Sequence, residues 1–276
     1  MSELNNDLPG YGYDDMNNNS SQMNNGYGYD VFGNLARNTA TDENTFNPDY
    51  TEPYGLEGLK TIATEKVVSK SFIFMFVALL ITAFAALTTT PKVAYGMMTG
   101  GSFWILFIAE IAIVLISNKA ISNNNVLLAG VLYTIYSFLT GMTCSVLFLV
   151  YTASSITGVF VITAVMFGTM AVFGLVTHKD LTTVGSICFM GLWGIIIASI
   201  VNLFILKSGG FDLIVSIIGV LVFVGLTAYD TQKIKQMCAY STTENENAIA
   251  MFGAFQLYLD FINLFLKLLR ILGRRK

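Results

Sequence analysis

Gly225-Leu226-Thr227-Ala228-Tyr229-Asp230-Thr231-Gln232-Lys233 closes one apolar segment, and Phe255-Gln256-Leu257-Tyr258-Leu259-Asp260-Phe261-Ile262-Asn263-Leu264-Phe265 lies within the next. Between them runs the polar turn Ser241-Thr242-Thr243-Glu244-Asn245-Glu246-Asn247. Residues equidistant from the turn of an antiparallel helix pair lie at similar depth, and the midpoint of 230 and 260 falls in this turn. At a rise of about 1.5 Å per residue, each aspartate stands roughly 15 Å along its helix. The two carboxylates can therefore meet well below the surface of whatever surrounds the helices.

The surroundings follow from composition. The chain is 54% hydrophobic and 12% charged, with a mean hydropathy of +0.62 and one histidine in 276 residues. These values describe a polytopic, all-α membrane protein. The net charge of -3 is small and most of the excess acid lies in the N-terminal tail, so there is no basic footprint for nucleic acid. Cys144, Cys188 and Cys238 are an odd number, mostly in apolar segments, and suggest neither a disulfide framework nor a Cys/His metal set. The first sixty residues lack an apolar core long enough for a cleavable signal, so the first membrane helix is expected to direct insertion.

Residues 1 to 58 are rich in Asn, Gly, Tyr, Asp and Ser, and Gly10-Tyr11-Gly12-Tyr13-Asp14 recurs as Gly26-Tyr27-Gly28-Tyr29-Asp30. Such a composition buries too little apolar surface to offset the entropy of ordering, and a disordered tail is expected there. Residues 59 to 276 form the membrane domain. A spanning helix needs about 20 apolar residues, and seven segments qualify: 70 to 90, 101 to 121, 126 to 149, 155 to 177, 182 to 206, 213 to 237 and 248 to 272.

Along the seventh segment, Gln256, Asp260, Asn263, Lys267, Arg270 and Arg274 are spaced 4, 3, 4, 3 and 4 apart, which places them on one helix face. Leucines and phenylalanines cover the rest. This pattern predicts a central helix whose polar seam lines an ion path; the competing reading is an amphipathic helix lying flat on the membrane. An acid at mid-helix favours the central position.

An isolated carboxylate inside a membrane domain is costly, so such groups face the bundle interior, pair, and mark ion or proton paths. Two carboxylates in contact repel when both are ionised, so they share a proton. Without the proton they offer hard oxygens to a divalent cation such as Ca²⁺. Elsewhere in the membrane, Glu110 of the second segment needs a partner, and Arg270 is the expected one; the pair would latch the two helices or serve as a fixed structural bridge. Lys119 either reaches the aspartates or snorkels to the interface. His178, in a loop, is expected to be solvated.

Orientation is set by flanking positive charge. With the tail in the cytoplasm, the inner segments hold Lys60, Lys66, Lys70, Lys119, Lys179, Lys233 and Lys235, and the outer loops hold Lys92 and Lys207. Arg274-Arg275-Lys276 conflicts with this, since seven full crossings place it outside. Either the seventh helix re-enters or the rule fails there.

Over residues 65 to 273 the chain resembles the Bax inhibitor-1 (YccA-like, transmembrane Bax-inhibitor-motif) family. The resemblance is carried by Thr227-Ala228-Tyr229-Asp230-Thr231-Gln232 and Leu257-Tyr258-Leu259-Asp260-Phe261-Ile262-Asn263-Leu264-Phe265, with Lys179-Asp180-Leu181 and Leu268-Leu269-Arg270-Ile271-Leu272. It implies a seven-helix bundle with the last helix at its centre, and a pH-sensitive Ca²⁺ leak channel whose di-aspartyl sensor falls on Asp230 and Asp260. A latch would fall on Glu110 and Arg270, and a basic residue touching the aspartates on Lys119. No tightly bound cofactor is implied; Ca²⁺ and protons are the ligands and the lipid bilayer the surroundings. The resemblance also allows a non-transporting regulator of a membrane protease or of a stress or cell-death pathway. It places the protein in the plasma membrane or, as in eukaryotic relatives, the endoplasmic reticulum. An intramembrane aspartyl protease is disfavoured, because Asp260 follows Leu257-Tyr258-Leu259 in place of Gly-x-Gly and no Pro-Ala-Leu follows. No enzymatic activity is expected. A retinal-type role for Lys267 has nothing else to support it.

Overall fold

The computed structural model describes residues 54 to 239 and 245 to 276, with side chains from residue 64. Its helices are α1 (Tyr54–Thr88), α2 (Pro91–Thr99), α3 (Ser102–Ser122), α4 (Val126–Cys144), α5 (Leu147–Val150), α6 (Ala153–Val176), α7 (Thr182–Val201), α8 (Gly209–Ala239) and α9 (Glu246–Leu272). A single π-helical turn, Asn202–Leu206, extends α7. Seven spans long and apolar enough to cross a bilayer result, α4 and α5 together making the third. Six of them agree closely with the segments read from the sequence. The first begins earlier, at Thr64 within a helix already formed at Tyr54, so the membrane-proximal end of the expected tail is helical. The rest of that tail, and most of the polar turn after α8, lie outside the described residues.

The amphipathic helix α2 was missed by the segment count. Pro91 begins it, where a missing N–H costs nothing, and Gly101 ends the connection to α3 with a φ of 74°. Nine residues cannot span a bilayer, so α2 packs at the end of the bundle.

α9 is the core. In its most apolar window 72% of residues are buried, against 6 to 44% for the other spans. Its sides meet different neighbours. Tyr258, fully buried, shares a 2.6 Å hydrogen bond with Thr82 of α1 and sets its ring edge-on to Tyr133 and Tyr136 of α4. Thr82 also donates to the Ser137 carbonyl at 2.9 Å, so α1, α4 and α9 meet at one hydroxyl pair. About 300° round the helix from Tyr258, Phe261 packs on Phe160 and Phe167 of α6. Asp260, about 160° from Tyr258 on the opposite side of the helix, faces α8.

Close approach of α6 to α8 depends on Gly174. A Cβ there would overlap the Ala228 carbonyl oxygen and stand 3.0 Å from its carbon. Small residues at such crossings let helix backbones touch, which is how helices associate when lipid removes the hydrophobic drive between them.

The loop before α7 is fixed by two acceptor arrangements. Gln232 of α8 accepts from the Leu181 amide at 2.9 Å and donates to the Lys179 carbonyl at 2.8 Å. Asp180 accepts from the Thr182 hydroxyl at 2.6 Å and its amide at 2.8 Å. These bonds, the hydroxyl first, hold the Asp180 carboxyl below its ordinary range. A group lowered in the folded state stabilises it above the ordinary carboxylate range and loses that contribution as pH falls through the lowered value. Asp180→Ala should therefore speed amide exchange in the first turn of α7 at neutral pH and leave it unchanged in strong acid, as followed by hydrogen-exchange mass spectrometry.

α9 runs the whole length of the bundle. At its start, Lys70 of α1 donates to Asn247 at 3.0 Å. At its end, the Thr152 amide donates to the Arg274 carbonyl, the Lys276 amide to Val150, and Lys276 Nζ to the Phe148 carbonyl at 2.6 Å. The chain thus finishes at the α5–α6 junction, opposite the end from which α1 enters. This end of the bundle holds Arg270, Arg274, Arg275 and Lys276; counted with Lys92 and Lys207, they shrink the charge bias from seven against two to seven against six.

Candidate functional site

The carboxylates of Asp230 and Asp260 come within hydrogen-bonding reach of each other. Both are buried, at 6% and 4% relative exposure. Around them the α8 backbone is closed by its own hydroxyls: Thr227 donates to the Phe223 carbonyl and Thr231 to that of Thr227, each at 2.7 Å. Those hydroxyls are satisfied within α8. Asp260 Oδ2 is different, being buried without a hydrogen-bond partner.

A buried carboxylate oxygen without a partner is an unmet demand for a proton or a cation. A hydrogen bond between two carboxyl groups needs one proton, and that proton answers part of the demand. With the proton gone, the pair offers up to four hard oxygens. Among the described residues no cluster of three or more acids, histidines or cysteines surrounds it. A Ca²⁺ ion, which takes six to eight oxygens, would keep water or carbonyl ligands here.

The charge beside the pair is Lys233, one turn along α8 from Asp230 and acting on it through space. Its ammonium lies 5.5 Å from the Phe252 ring centre and 6.0 Å from that of Tyr229. The expected contact, Lys119, stands exposed in the last turn of α3. The position of Lys233 was open to the spacing rule that places residues i and i+3 on one helix side.

The expected Glu110–Arg270 latch is not the pairing found. Arg270 forms an ion pair with Asp212 in the first turn of α8, and Glu110, half-buried on α3, accepts from the Thr143 hydroxyl at 2.8 Å. The reason is the hairpin. α8 and α9 run antiparallel, so the start of one lies against the end of the other, and Asp212 reaches Arg270 at the rim without crossing the bundle. The two side chains are 25% and 40% exposed, and such a pair contributes at most about 1 kcal/mol. Asp212→Asn should cost no more than that in thermal unfolding, with the difference shrinking at high salt.

Along the seam of α9, burial falls off from Asp260, through half-buried Asn263 and Lys267, to exposed Arg270 and Arg274. Gln256, on the near side, is half-buried. From Asp260 onward five polar residues thus descend from the core to the rim as one stripe. The cysteines are free thiols.

The same stretches tie the chain to known proteins. A family model described as inhibitor of apoptosis-promoting Bax1 matches residues 64–276. The chain is 46% identical over 209 residues to inner membrane protein YbhL of Escherichia coli, covering 74% of this chain and 89% of that protein. It is 41% identical over 225 residues to an uncharacterised protein of Borreliella burgdorferi, covering 80% and 97%. A Rickettsia prowazekii protein is 42% identical over 225 residues, covering 80% and 92%. A seven-span bundle built round α9, with these matches over nearly all of it, makes the chain a multi-pass membrane protein of the Bax inhibitor-1 family.

Proposed function

We propose that this protein is a pH-sensitive Ca²⁺ leak pathway, with Asp230 and Asp260 as the site where protons and Ca²⁺ compete. The observation that carries this is the pair of contacting, buried carboxylates on the central hairpin, one of whose oxygens has no partner. Held by a shared proton, α8 and α9 stay closed on each other at that depth. Loss of the proton leaves two negative charges that either part or take up a cation. Protonation therefore weakens Ca²⁺ binding. Arg270, held by Asp212, ties the same two helices at the far rim, and the latch role expected of Glu110 passes to Asp212. The bland alternative for the pair, a structural hydrogen bond, does not require an acid on both helices.

The membrane is proposed to be the bacterial cytoplasmic membrane, the setting named for the Escherichia coli relative. The amino-terminal end is proposed to face the cytoplasm, a reading supported by the residual bias of seven positive charges against six. The tail and any membrane protease it docks to belong to the second reading, a regulator without transport.

Ca²⁺ entry into liposomes holding the purified full-length protein, followed from about pH 6 to pH 8, tests the proposal over the range where a shared proton titrates. Flux that changes with pH supports it. Folded protein that passes no Ca²⁺ at any pH overturns it in favour of the regulator.

A further inference from the structure

Lys267 stands seven residues beyond Asp260, on the same side of α9. It is half-buried, within the most buried span of the bundle. Its stem lies along Gly219 of α8: a Cβ added there would stand 3.0 Å from Lys267 Cγ and Cδ and 3.1 Å from Cε. The bare glycine backbone is the seat of the lysine. Helical side chains lean toward the amino end of their helix, which for Lys267 is the direction of Asp260 and away from the rim.

Among the described residues no acid pairs with this ammonium. Asp212 is taken by Arg270, Asp260 faces Asp230, and Glu110 accepts from Thr143. The nearby polar side chains are turned onto their own helices, Asn263 donating to the Leu259 carbonyl and Ser216 to that of Asp212, each at 2.8 Å. A cation at membrane depth without a counter-charge is costly to keep. A leucine or methionine at 267 would pack on Gly219 without that cost.

Resting on the reading that cations cross along the α8–α9 seam, we propose that Lys267 is the charge barrier of that path, set between the aspartate pair and the far rim. It determines which cations pass and how fast. The energy of an ion beside a fixed charge is proportional to the charge of the ion, and rate depends exponentially on that energy. The barrier for Ca²⁺ is thus twice that for K⁺, and the two rate effects are related as a number to its square. A purely steric plug would slow both alike.

The test compares Ca²⁺ and K⁺ flux into liposomes for the full-length wild type, Lys267→Gln, Lys267→Met and Lys267→Arg, each checked for folding by thermal unfolding. Removing the charge should raise Ca²⁺ flux about tenfold, equivalent to about 1.4 kcal/mol of barrier, and K⁺ flux about threefold. Lys267→Arg, keeping the charge, should leave the ratio of the two fluxes unchanged. Equal rises for both ions in the Gln and Met variants would overturn the proposal, showing that space and not charge is limiting; so would no rise in either. Should the wild type conduct with a pH dependence that replacing both Asp230 and Asp260 with asparagine alters, these failures touch Lys267 alone. Silence of the wild type and of both neutral variants would overturn the conduction reading and this inference together.

Discussion

Replacing both Asp230 and Asp260 with asparagine flattens the pH dependence of Ca²⁺ flux. One shared proton titrating across two pH units changes site occupancy about tenfold, and that ratio should fall to about one in the double variant. The amide side chains keep the size and the mutual hydrogen bond of the pair, and they remove the repulsion that ionisation creates. The variant should therefore fold at least as stably as the wild type, because buried charges replaced by neutral groups of like shape usually cost nothing. Flux and thermal unfolding measured on one preparation separate loss of sensing from loss of structure. A double variant that retained the wild-type pH profile would remove the pair from the mechanism. Single substitutions should act less cleanly, since one remaining carboxyl still accepts a hydrogen bond from the asparagine facing it.

Gly174→Val should produce the largest loss of folded protein of any single change considered. The new side chain has nowhere to go: its Cβ alone overlaps the Ala228 carbonyl, a backbone atom that no rotamer change can move. Overpacking in a tight core costs about 1 to 3 kcal/mol, and more where backbone must shift. The shift needed is of α8 away from α6, and Ala228 is two residues from Asp230. Yield of monodisperse protein after detergent extraction should drop sharply. Whatever survives should show a weakened pH response, because the aspartates no longer meet. By contrast Gly158→Ala, at a position where a Cβ would meet nothing within 4 Å, should leave both yield and response unchanged.

Much of the fold was legible in the sequence because a bilayer imposes a simple length rule. Twenty apolar residues either span or do not, and every span was found within a few residues of its ends except the first, whose helix continues toward Tyr54. The miss at α2 has the same origin: nine amphipathic residues carry no spanning signal, and the pattern that makes them a helix is too short to stand out. The Asp230–Asp260 contact was legible too. A hairpin turn constrains depth, and two acids equidistant from it have few other places to go.

The other pairings were not legible, since charge alone names no partner. Glu110 and Arg270 are opposite charges in one membrane domain; the depth rule that brings Asp230 to Asp260 also brings Asp212 level with Arg270, their midpoint 241 opening the same turn, and it is the rotation of the helices that decides between the two acids. Lys119 and Lys233 both end an apolar segment, and only the rotation of each helix about its axis decides which faces the aspartates. The sequence by itself determined the number of spans, the centrality of α9 and the meeting of two carboxylates, because these follow from length, periodicity and connection along one chain. The tertiary structure alone decided which charges pair, where Lys267 is seated and where the chain ends. Those depend on azimuth and on the close contacts that Gly174 and Gly219 permit, and neither is encoded in the hydropathy of any single helix.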